Sequence, residues 1–131
     1  MKNKHLYILA SVLFLIFMTN CKKESKDIKN NYIGNWNFEV VRSSFIMDSL
    51  YTVDTVNYMG TISSGNSNNE IILQYTDENS IILSIDDNGV LSGFPTQYSG
   101  GEFNGKNKIH LYLRWGGLGG GTTHTIDGVK Q

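Results

Sequence analysis

The feature that most constrains this chain is a period of two. Ile109, Leu111, Leu113 and Trp115 alternate with His110, Tyr112 and Arg114. Only an extended backbone turns successive side chains to opposite faces, so the segment reads as a strand with one buried face. The same spacing recurs in Trp36, Phe38 and Val40, in Ile71, Leu73 and Tyr75, and in Ile81, Leu83 and Ile85. Beyond residue 31 no window of about eleven residues places its apolar residues at helical spacing. The domain is therefore expected to be all-β.

Turn residues punctuate these runs. Asp87-Asn88-Gly89 and Asn104-Gly105 are hairpin signals, because Asn and Gly tolerate positive φ. Gly65–Asn69 (GNSNN) and Thr76–Ser80 (TDENS) are longer polar turns. The pattern predicts strands near 35–43, 50–63, 70–76, 80–86, 89–94, 99–104, 107–115 and 122–130. In the second of these Val53 and Val56 differ in parity, which predicts a bulge or bend at Asp54-Thr55. Hairpins in this succession close into a small antiparallel up-and-down barrel, which removes exposed edges; a two-sheet sandwich satisfies the same pattern.

Residues 1–20 have another character. Lys2 and Lys4 precede Leu6–Met18, 13 residues without a charge. A membrane-spanning helix needs about 20 such residues, so this run suits the apolar core of an export signal instead. It ends at Thr19-Asn20-Cys21, and Lys22, Lys23, Glu24, Lys26, Asp27 and Lys29 follow at once. Cys21 is the only cysteine of the chain, although an exported domain is free to use disulfides. Met18, Thr19, Asn20 and Cys21 resemble the signal of bacterial lipoproteins, with Asn20 where the family has Gly, Ala or Ser. The CKKE start is similar to that of Bacteroidetes lipoproteins. The resemblance implies cleavage before Cys21 and a diacylglyceryl, palmitate-type anchor on its thiol. It also implies residence in the cell envelope, at the outer membrane facing the periplasm. Residues 21–31 then form the lipidated cysteine and a flexible polar tether, and 32–131 the barrel domain. That domain has five Lys and Arg against ten Asp and Glu, a net of −5. Such a balance offers nothing to nucleic acid.

Tyr32-Ile33-Gly34-Asn35-Trp36 puts Gly-x-Trp at the start of the first strand. It resembles the lipocalin (calycin) pattern, as in the small lipocalin-like lipoproteins of Bacteroidetes, over residues 32–131. The resemblance implies that Gly34 and Trp36 close one end of the barrel, with a late basic residue across the indole as a cation–π contact. Lys130 stands in the matching position and Arg114 competes with it. The family likeness further implies a small apolar ligand in the lumen. Side chains alone can fill an eight-stranded barrel, however, so a packed core and a cavity stand as alternatives.

Chemistry is sparse. Gly116-Gly117-Leu118-Gly119-Gly120-Gly121 lacks the Lys of a phosphate loop and has a strand-like sequel where a dinucleotide fingerprint has a helix. It reads as a strand connection, with Gly117, Gly119 and Gly120 forming a flap at a barrel mouth as its functional version. His110, His124 and Asp127 have none of the short spacings of a metal site. His110, Tyr112 and Arg114 form one strand face that either lines a lumen or meets water. Asp86 and Asp87 fit a turn better than a calcium loop. Asp48 and Asp54 are isolated carboxylates, and Ser43 and Ser44 lack a nucleophile motif. The reading is a binding protein and not an enzyme, with no cofactor and no metal. Its partners are the membrane, through Cys21, and a small apolar ligand. The rival reading is a protein-binding module without a cavity, serving an envelope protein. Exposure of Tyr51, Tyr58, Tyr98 and Phe94 separates the two.

Overall fold

A computed structural model describes residues 27–47 and 49–131, with the backbone alone at 50–52. The export segment, Cys21, Asp48 and the Tyr51 side chain lie outside the described residues. The described chain enters through a 3-10 turn at Ile28–Asn31. Eight strands follow: β1 (Gly34–Ile46), β2 (Ser49–Ser64), β3 (Glu70–Gln74), β4 (Ser80–Ile85), β5 (Leu91–Ser92), β6 (Gly100–Asn104), β7 (Lys108–Gly117) and β8 (Gly120–Lys130).

All eight strands lie in one antiparallel sheet of order β5-β4-β3-β2-β1-β8-β7-β6. The β1–β8 ladder joins first strand to last, from Trp36 opposite Lys130 to Phe45 opposite Gly121. The ends of the order, β5 and β6, meet at one bridge, Val90 to Glu102, and where the Phe103 N–H donates to the Gly89 carbonyl at 2.9 Å. The molecule is thus a nearly closed up-and-down barrel. One sheet carries every strand, which excludes the sandwich.

Alternation sets the inside. Trp36, Phe38 and Val40 of β1 face the lumen with Ile62 of β2, Ile71 and Leu73 of β3, Leu83 and Ile85 of β4, Phe103 of β6, Ile109, Leu111 and Leu113 of β7, and Ile126 of β8; all are buried. Phe38 has room because its cross-strand neighbour is Gly128, where a Cβ would lie 2.7 Å from the ring. The turns form as their residues dictate. Asp86 Oδ1 accepts the N–H groups of Asn88 and Val90 at 2.9 and 2.8 Å, and Gly89 takes φ 85°. Asp86 is therefore a turn residue.

β1 and β2 have 13 and 16 residues, whereas β3 has five. Their outer halves consequently run past the barrel, alongside β7 and β8, as a projecting four-stranded ribbon. Two expectations change here. The register slips where Ser44 pairs with Thr52 but Phe45 pairs with Leu50, so the extra residue is Tyr51 and not Asp54-Thr55. Val53 differs in parity from Val56 simply because it faces outward, 55% exposed, on a stretch with less interior to fill. The glycine run is also no flap. Gly117 pairs with Gly120, leaving Leu118 and Gly119 as a two-residue hairpin turn.

Candidate functional site

The two ends of the barrel differ. At the first, the Trp36 indole N–H donates to the Tyr32 carbonyl at 2.8 Å, and the Tyr32 ring stacks on Phe103 at 3.7 Å. The buried Lys29 donates to the Ser67 carbonyl at 2.9 Å. Lys130, directly across from Trp36, runs its aliphatic chain past Gly34 and donates to the Asn31 carbonyl at 2.7 Å. Gly34, Trp36 and Lys130 thus come together, as the lipocalin likeness implies, and the end is plugged. The ammonium of Lys130 binds a carbonyl, however. The cation–π contacts among the described residues belong to Arg114, over Phe45 at 4.4 Å and Tyr98 at 5.6 Å. Arg114 sits near the opposite end, across from Thr123, and takes no part in closing over Trp36.

The second end holds a buried polar pair that the sequence reading did not single out. His124 shares the inward parity of Ile126. Its Nδ1 lies 3.3 Å from the Tyr75 hydroxyl, and Trp115 meets its ring edge-on at 4.9 Å. Burial, with the nearby Arg42 guanidinium adding to it, pushes the imidazole pKa below its ordinary value. Burial alone raises the Tyr75 hydroxyl to about 12. Arg42, cross-strand from His124, forms an ion pair with Asp54 at the rim. The available signal was the parity shared with Ile126; reading His124 as a metal ligand obscured it.

The outer wall carries the other expected residues. His110 faces water and bonds Asp127 at 2.7 Å. His124 points inward on the same strand pair, so the three do not converge. Tyr112 is 37% exposed on the same outer face. The principal depressions are external. One, of about 660 Å³, lies among Asn37, Glu39, Asn57, Met59, Asp127 and Val129; another, of about 350 Å³, lies between the entry turn and Asn68, Asn69 and Asp87. The lumen is instead occupied by Trp36, Phe38, Tyr75, Leu73, Leu111, Leu113 and Ile126, all fully buried.

Exposed apolar side chains gather at the ribbon's tip. Leu118 is wholly exposed, Met47 is 79% exposed and Ile46 is 49% exposed. The two turns that carry them lie side by side, since Gly120 abuts Phe45 and Ile46. Gly117, Gly119 and Gly120 belong to this tip. Of the aromatic residues expected to discriminate between readings, Tyr98 is exposed beneath Arg114, while Tyr58 and Phe94 are half-buried against the core.

These features define a small all-β up-and-down barrel with a side-chain core, a plugged entry end and a projecting apolar-tipped ribbon. No protein-family model, curated protein or solved structure matches the chain.

Proposed function

We propose that the protein is an envelope lipoprotein, held by lipid on Cys21, whose barrel is a scaffold for docking another envelope protein at the ribbon tip. The observation that carries this reading is the combination of a lumen filled by side chains with large apolar residues left in water at the tip. A carrier of a small apolar molecule needs a cavity of several hundred cubic ångströms. Clustered exposed apolar residues suit a protein interface, where such side chains supply most of the binding energy. No catalysis is proposed.

The geometry also supports an orientation. Six residues separate Cys21 from Asp27, a reach of at most about 20 Å. The chain enters the barrel at the plugged end, and β1 then travels thirteen residues, about 40 Å, to the tip. A domain anchored in this way at the outer membrane presents Met47 and Leu118 away from the lipid, toward the periplasm. Photocrosslinking in the native cells tests the reading, with a benzophenone side chain at Leu118 or, as the control, at Lys106 near the plugged end. One discrete protein adduct from position 118, absent from position 106 and reduced by Met47→Asp, is the expected result. A bare position 118, together with a small molecule retained by the intact protein in native mass spectrometry, would favour a ligand carrier.

A further inference from the structure

The projecting ribbon has two lateral edges, and the chain treats them differently. On β7 the edge is capped beyond its pairing with β6. The Arg114 N–H donates to Ser99 Oγ at 3.0 Å, and Thr96 Oγ1 donates to the Arg114 carbonyl at 2.6 Å. Two hydroxyls of the Thr96–Ser99 turn thus stand in for a strand. On β2 nothing equivalent occurs among the described residues. β3 joins β2 only from Thr61 to Ser64. The turn at Thr76, Asp77 and Glu78 comes up beside Val56 and Tyr58. From Ser49 to Thr55 the backbone is paired with β1 alone.

Seven residues are longer than an average strand, and a free edge offers its outward N–H and C=O groups to any extended partner. Natural sheets blunt such edges with lysine, proline or glycine. Ser49–Thr55 (SLYTVDT) has none of these and is rich in residues that favour strands. Tyr51 adds a bulge, which twists the edge without occupying its hydrogen bonds.

We infer that this edge is an interface with a second copy of the chain, β2 adding antiparallel to β2 about a twofold axis. An antiparallel pair of identical strands is self-complementary, so each outward donor of one copy meets an acceptor of the other. Charge selects the same occupant. Asp54 is the only charged residue in the stretch, and Arg42 of its own chain already neutralises it. Two copies therefore meet without like-charge repulsion at the seam. A cationic segment would find no unpaired carboxylate there. Val53, 55% exposed, gains apolar cover from its counterpart. The pairing rests on sheet geometry alone and stands whether or not the lipid anchor and tip docking hold.

The test uses the full chain, purified in mild detergent and released from it in native mass spectrometry, over a concentration series reaching about 0.1 mM. A dimer is expected, and amide exchange at Ser49–Thr55 is expected to slow as the concentration rises. Val53→Lys with Thr55→Lys places four lysines at the seam, and the dissociation constant should rise at least about tenfold. Val129→Lys, on the outer wall of β8, should leave the dimer intact. Should the double variant melt early, the exchange pattern of the unsubstituted chain decides alone. A monomer throughout the series overturns the inference. So does a dimer indifferent to both lysines, or a different protein found on the β2 edge.

Discussion

Trp36 is wholly buried, and its one polar atom is bonded to the Tyr32 carbonyl. Trp36→Ala removes the largest side chain of the core from a place that the 3-10 turn and Phe103 cannot fill. The expected loss is about 3–5 kcal/mol, read from urea denaturation; a change of a few tenths would show that the ring is not a plug. At the other end, Tyr75 and His124 are each neutral in the fold. The unfolded imidazole takes its proton near pH 6.5, above its folded pKa, so stability contributed by His124 is lost as pH falls below that value. The unfolded Tyr75 phenol ionises near pH 10 and the folded one near 12, so its contribution is lost as pH rises across that interval. Urea midpoints should therefore plateau between these limits and fall on either side. Tyr75→Phe should flatten the alkaline limb; an alkaline fall unchanged in that variant would assign it to another group.

At the scale of elements, β8 depends on a residue with no side chain. Gly128 faces inward, and a Cβ there would come within 2.5 Å of Ile109 Cγ2 and 2.7 Å of the Phe38 ring. Gly128→Ala should overpack the closing β1–β8 ladder by about 1–3 kcal/mol, with Phe38→Leu restoring part of the loss. Equal melting temperatures for Gly128→Ala and the parent would mean that the ladder yields easily at this point. The strands themselves were legible, β7 and β8 above all, because each has one face in a core and alternation records which face. The bulge was not. Parity reports burial only where there is an inside, and at Val53 the ribbon has begun to leave the barrel. The capped edge of β7 was equally hidden. Thr96 and Ser99 act through hydroxyl bonds to a strand about fifteen residues onward, and such long-range pairing leaves no periodic trace.

The whole molecule is a rod with unlike ends, and its polarity was only half legible. The entry end could be read because Gly34-x-Trp36 and a late Lys130 form a pattern. The tip could not, because a lone Met47 or Leu118 in a turn carries no periodic signal and becomes a patch only when two distant hairpins lie side by side. The rod acquires a direction in the cell only through Cys21. Cys21→Ala, expressed from the full coding sequence, should abolish incorporation of labelled palmitate and leave a precursor that retains residues 1–20. The barrel should fold unchanged, since the described core draws on no residue before Ile28. Its circular dichroism and melting temperature should match those of the lipidated form, while fractionation should show loss of diacyl anchoring. Palmitate labelling that persists in the variant would remove the anchor and, with it, the argument that Met47 and Leu118 face away from the membrane.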